Sequence, residues 1–201
     1  MAKAGQGLGV GGLEGLAAAL PRQGRALPPV EKWNPPFCGD IDMRISSDGT
    51  WFYQKTPIGR PALVKLFASI LKREGAKYFL VTPVEKVGIV VEDAPFLAVE
   101  LQVVAPQQGV LPPVLRFRTN VDDWVDAGPG HALRFEPEAT GGLKPYLHIR
   151  RDLWAKVTRA LFYDLVERGE ERVVDGKAMF GVVSGGEFFD MAEAKALREF
   201  A

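Results

Sequence analysis

Three clusters in this 201-residue chain combine residue types and spacing that could do chemistry. Asp40, Asp42 and Arg44 alternate with Ile41, Met43 and Ile45, so in an extended backbone the two carboxylates and the guanidinium project from one face. Carboxylates at that spacing suit a hard cation or acid–base work; an ordinary solvent-facing strand carries the same pattern. Arg60, in Thr56-Pro57-Ile58-Gly59-Arg60, and Arg150, in His148-Ile149-Arg150-Arg151, each stand just ahead of a segment with helical periodicity. A cation there opposes the positive end of a helix dipole. Each arginine is therefore expected to be held by an anionic ligand or by a carboxylate such as Asp42 or Asp93. The third cluster is the polar stretch Asn120, Asp122, Asp123, Asp126 and His131. With Asp40 and Asp42, its Asp122, Asp123 and His131 offer ligands for a metal-assisted hydrolase, although Asp and Asn also occur simply as turn formers.

Other candidates read more plainly. Ser184-Gly185-Gly186-Glu187 is glycine-rich but does not open a helix and lacks the Gly-Lys-Ser/Thr ending of a phosphate loop, so a hairpin turn is expected. His148 lies within an apolar segment, where a hydrogen-bonded structural histidine is the commoner outcome. Cys38, the one cysteine, can form no intramolecular disulfide; it fits a reducing compartment and reads as a small buried hydrophobe. The chain has no Gly-x-Ser-x-Gly elbow, no His-Glu-x-x-His, and no Gly-x-Gly-x-x-Gly after a strand. The motifs imply no cofactor.

The elements that must position these residues follow from composition and periodicity. Lys and Arg number 25 and Asp and Glu 25, for a formal charge of zero; 47% of residues are apolar and 25% charged. That balance excludes a disordered chain, a coiled coil and a polybasic nucleic-acid binder. No apolar run approaches the roughly 18–20 residues a bilayer span needs, and glycines interrupt the N-terminus, so neither a membrane nor a leader segment is expected and the protein is placed in the cytoplasm. Residues 1–36, rich in Gly and Pro, read as a flexible tail with about two helical turns over 13–20. Alternation predicts strands over 41–45, 78–81, 87–91 and 96–104, and aromatics a strand over 51–53 after the Ser47-Asp48-Gly49 turn. Pro61 starts a helix whose apolar face is Leu63, Leu66, Phe67, Ile70 and Leu71, with Lys72 and Arg73 in its last turn and Gly75 as its cap.

Beyond a linker at 106–113, further strands are expected over 115–119, 133–135 and 146–149. A helix is expected from Asp152 to Arg168, then a hairpin over 179–189 and a closing helix over 191–200. Leu66-Phe67 and Ile70-Leu71 match Leu161-Phe162 and Leu165-Val166 at a constant offset, which suggests a duplication. The expected fold is α+β: two related, mostly antiparallel β-sheet units over 37–105 and 106–201, each a strand-strand-helix-strand-strand repeat with one main helix.

Ordered blocks from Cys38-Gly39-Asp40-Ile41-Asp42-Met43-Arg44-Ile45 to Phe162-Tyr163-Asp164-Leu165-Val166 resemble a bacterial family known as Domain of Unknown Function 1285. Between them lie Asp48-Gly49-Thr50-Trp51, Thr56-Pro57-Ile58-Gly59-Arg60, Thr82-Pro83-Val84-Glu85-Lys86, Glu92-Asp93-Ala94-Pro95-Phe96, Phe117-Arg118-Thr119-Asn120 and Pro145-Tyr146-Leu147-His148-Ile149-Arg150. The resemblance spans roughly 37–190, departs at Arg151-Asp152, and implies a two-unit α+β fold with a role in ligand binding or signalling and no catalytic residues to transfer. The expected function is a non-enzymatic ligand-binding or regulatory module. It would take a small anionic ligand or an acidic protein partner near Arg44, Arg60 and Arg150, with Asp42 and His148 orienting them. The alternative is the metal-assisted hydrolase. A homodimer through a sheet edge or the tail helix is a further expectation.

Overall fold

The computed structural model describes residues 27–105, 113–139 and 141–195, and the chain divides into two compact units between Pro95 and Phe96. The expected helix over 13–20, residues 106–112 of the expected linker at 106–113 and residues 196–200 of the closing helix expected over 191–200 lie outside the described residues, and 191–193 of that helix are instead the end of a strand. Of the stretch read as tail, Val30–Lys32 forms one 3-10 turn, and Val30 is fully buried.

The first unit is a six-stranded sheet with one helix. Its strands are β1 (Phe37–Ile45), β2 (Trp51–Tyr53), β3 (Thr56–Pro57), β4 (Leu71–Glu74), β5 (Lys77–Val81) and β6 (Lys86–Val91), with α1 (Pro61–Ser69) between β3 and β4. The spatial order is β3-β2-β1-β6-β5-β4. Two antiparallel meanders of consecutive strands thus meet along a central parallel pair, β1 with β6. Met43, Ile45, Trp51, Leu71, Leu80 and Val87 are buried, and Phe67 of α1 joins them, its ring stacked on Trp51 at 6.3 Å. Alternation along β1 buries Met43 and Ile45 and leaves Asp40 and Asp42 exposed.

The second unit repeats that sheet. β7 (Phe96–Val104), β8 (Val114–Thr119), β9 (Trp124–Asp126), β10 (Leu133–Pro137), β11 (Leu143–Arg150) and β12 (Leu153–Val157) lie in the order β10-β11-β12-β7-β8-β9, again with a central parallel pair, β12 with β7. The helix is placed differently: α2 (Arg159–Glu167) follows the sixth strand instead of dividing the sheet. A three-stranded sheet comes after it, β13 (Glu170–Val174), β14 (Lys177–Ser184) and β15 (Glu187–Glu193). The buried hydroxyl of Ser184 ties β14 to this unit, donating to the Ala127 carbonyl at 2.7 Å and accepting from the Leu115 N–H at 2.8 Å. Gly185 and Gly186, at φ +57 and +88, turn β14 into β15, as the doubly left-handed turn of a two-residue hairpin requires.

The fold is therefore α+β, two similar six-stranded sheets each with one helix. Three expectations change in detail. The helix from Pro61 stops at Ser69; Lys72 and Arg73 belong to β4, and Gly75 turns β4 into β5. Residues 152–168 are not one helix, because 153–157 form β12 and α2 is N-capped by Thr158. The strand 96–104, read into the first unit, pairs with β8 and β12 of the second.

Candidate functional site

The expected site residues fall in both units: Asp42, Arg44 and Arg60 in the first, His148 and Arg150 in the second. Arg44 on β1 forms an ion pair with Glu92, just past β6, and its guanidinium sits 4.4 Å from the Phe52 ring centroid. The same carboxylate accepts the Ser47 N–H at 2.9 Å. That backbone hydrogen bond first, and Arg44 second, hold Glu92 below its ordinary pKa of 4.5; the Ser46 hydroxyl and the Thr50 N–H lower Asp48 below 3.8 in the same turn. Both folded pKa values are depressed. Their contribution is complete above pH 4.5 and is lost as pH falls through the lowered values. A Glu92→Gln variant is accordingly expected to melt below the parent protein at pH 7, with the gap closing as pH drops beneath the ordinary carboxylate range. Thermal midpoints across pH check this; a gap that stays constant would refute it.

Arg60 is where its spacing put it, capping α1 with extended φ of −101°. It lines a shallow cleft of about 360 Å³ with Tyr53, Gln54, Ile58 and Leu63. Arg150 does not precede a helix. It ends β11, and the β11–β12 turn runs through Arg151 at φ +54. Its side chain is 12% exposed, ion-paired with Asp123 and 4.9 Å from the Phe96 ring centroid. Both ring nitrogens of His148 face backbone: Nε2 lies 2.6 Å from the Arg151 carbonyl oxygen and Nδ1 3.1 Å from that of Gly130. Its ring packs against Trp154 at 5.2 Å and His131 at 5.8 Å.

The acidic stretch of the hydrolase reading is divided among different arginines. Asp122 takes Arg118 at 2.9 Å, Asp123 takes Arg150, and Asp126 takes Arg116 through two hydrogen bonds of 2.6 and 2.8 Å. Arg118 also holds Glu100. Among the described residues no group of three or more His, Cys, Asp or Glu side chains converges as a metal site requires, so the hydrolase reading is not favoured. Cys38, expected buried, is exposed near the irregular start of β1.

A concavity lies in the second unit, where the ends of β11 and β12 meet α2. This cleft of about 470 Å³ is lined by Lys144, Lys156, Arg159, Phe162 and Tyr163, with Glu138 at its rim 3.5 Å from Lys144. Its size suits a small molecule. Arg159 donates from Nε to the Tyr163 hydroxyl at 2.9 Å, and Phe135 backs the Phe162 ring at 6.2 Å.

The family model described as "Domain of unknown function (DUF1285), N-terminal domain" matches residues 28–94, and "Protein of unknown function (DUF1285), C-terminal domain" matches 95–191. The chain belongs to the DUF1285 family. A crystal structure at 2.50 Å of a DUF1285 protein from Silicibacter pomeroyi DSS-3 is 48% identical, with a TM-score of 0.83, covering 94% of this chain and all of that one. Another, from Shewanella baltica OS155, is 32% identical over 62% of this chain and 89% of that one, with a TM-score of 0.48. No curated protein matches the sequence.

In this DUF1285 chain the two family models meet beside the division between the two units. Sequence reading did not single out Lys144, Lys156 and Arg159. Lys144 and Lys156 become neighbours only once β11 pairs with β12, where Lys156 stands opposite Tyr146, two residues from Lys144; the expected helix over 152–168 places Lys156 in a helix, whereas it lies in β12. The Arg159-to-Tyr163 spacing, i to i+4 on a helix, was the one signal within reach.

Proposed function

We propose that this protein is a non-enzymatic binding module of the cytoplasm that takes a small anionic ligand and serves a regulatory role. The observation that carries the reading is the cleft of the second unit, where Lys144, Lys156 and Arg159 share one lining with the single carboxylate Glu138. Cations gathered around a concavity of ligand size concentrate positive potential in it, and charge-assisted hydrogen bonds to an anion are the strong ones. In other parts of the chain Arg44 and Arg150 hold carboxylates, and the two ring nitrogens of His148 each face a backbone carbonyl. Of the residues first singled out, Arg60 stands beside the lesser cleft of the first unit.

The test is titration of the full chain with inorganic pyrophosphate, read by thermal midpoint and calorimetry. Stabilisation is expected, weakening with salt, and Lys156→Ala and Arg159→Ala should each weaken binding by about tenfold, as loss of a hydrogen bond to a charged group does. No stabilisation at millimolar pyrophosphate would end the reading. Loss on Arg60→Ala with none on Arg159→Ala would move the site to the first unit.

A further inference from the structure

The cleft of the second unit carries a signal besides charge. Phe162 and Tyr163 both line it, and Tyr163 remains 52% exposed. Phe162 is held from behind by Phe135, whereas Tyr163 is fixed from its rim: Arg159 bonds the phenol oxygen, and its guanidinium carbon stands 5.7 Å from the ring centroid. With Arg159 on one side and the Phe162 ring 6.4 Å away, about half of the Tyr163 surface still meets solvent. The result is a wet aromatic face, pinned in orientation, in the same concavity as Lys144, Lys156 and Arg159.

A ring face next to clustered cations matches a ligand that is flat at one end and multiply anionic at the other. A base stacks on an aromatic face whatever its hydrogen-bonding edge, because every base has a π surface. Phosphate oxygens meanwhile take guanidinium and ammonium donors. Resting on the anion-binding reading above, we propose that the ligand is a nucleoside phosphate, its base stacked on Tyr163 and its phosphates held by Lys144, Lys156 and Arg159. Tyr163 is then the residue that sets specificity, and the lysines and Arg159 set affinity. Binding is reversible and breaks no bond.

Calorimetry on the full chain with four probes tests this: adenosine diphosphate, inorganic pyrophosphate, ribose 5-phosphate and adenosine. Adenosine diphosphate is expected to bind at least about tenfold tighter than pyrophosphate, which is the lower range of what stacking one base on an aromatic ring contributes. Ribose 5-phosphate should show no such gain, and adenosine alone should bind weakest. Tyr163→Ala should remove the advantage of the nucleotide over pyrophosphate, whereas Tyr163→Phe, which loses the same bond to Arg159 but keeps the ring, should retain most of that advantage. Because Tyr163 is exposed, its replacement leaves the core intact. If pyrophosphate binds and adenosine diphosphate binds no tighter, the nucleoside assignment is wrong while the anion-binding reading survives. If neither binds, both fall. Adenosine binding as tightly as its diphosphate would also overturn the assignment.

Discussion

Phe67→Ala is expected to lower the unfolding free energy of the first unit by about 3–5 kcal/mol. Phe67 has no exposed surface, and its ring lies 6.3 Å from that of Trp51 with an interplanar angle of 22°, so α1 is pinned to β2 through this one stacked pair. Two terms add. The buried ring loses its transfer free energy, and the space it leaves lies against Trp51, which is held in β2 and can close in only partly. Against a typical total of about 5–15 kcal/mol, that loss separates a stable unit from a marginal one. Urea denaturation followed by tryptophan fluorescence checks it, since Trp51 is only 2% exposed and should report the same transition. A loss under about 1 kcal/mol would mean that α1 is not anchored through Phe67.

Gly181→Ala is expected to cost about 3 kcal/mol in the second unit, at the upper end of what overpacking brings. A Cβ on Gly181 would stand 2.3 Å from the Phe189 carbonyl oxygen and 2.9 Å from the Asp190 Cα. Both atoms are backbone of the neighbouring strand, and neither can swing aside as a side-chain end would. The crowding arises because the β14–β15 register slips between Phe180 and Gly181, so that Gly181 faces Asp190 while Phe180 faces Ala192. Gly130→Ala is the control. Nothing lies within 4 Å of a Cβ built there, and the change should fall within about 0.5 kcal/mol of the parent. Equal stability of the two variants would show that the irregular pairing does not need glycine.

Most strands were readable wherever one face is buried and the other wet. Ile41-Asp42-Met43-Arg44-Ile45 alternates, and the structure buries Met43 and Ile45 accordingly. β7 was read with both its ends correct. The failures share one cause. Leu71 follows Ile70 at a spacing that continues the helical face of α1, and Leu153, Val157 and Leu161 can be placed on a helix as readily as on a strand. In the structure 153–157 alternate between buried and half-buried, and the chain changes to helix only after Thr158. Short apolar segments satisfy both periods, and strand pairing decides between them: Leu71–Glu74 gains β5, and Leu153–Val157 gains both β11 and β7.

By itself the sequence determined the family, the α+β class, the duplicated character of the chain and which side chains carry charge. What it could not determine was the partner of each charge. Arg44 meets Glu92 across 48 positions and Arg150 meets Asp123 across 27, separations that no local pattern encodes. Those pairings exist because β1 lies beside β6, and because β7 sits between β12 and β8 and so brings the β8–β9 loop near the end of β11. The same pairing of strands brought Lys144 and Lys156 into one cleft with Arg159. Neutral overall composition thus concealed an uneven distribution, in which most arginines first singled out are spent on carboxylates and positive charge collects at a place only tertiary structure creates. The physical reason is the range of the forces. Periodicity is set by neighbours along the chain, whereas an electrostatic site is set by neighbours in space.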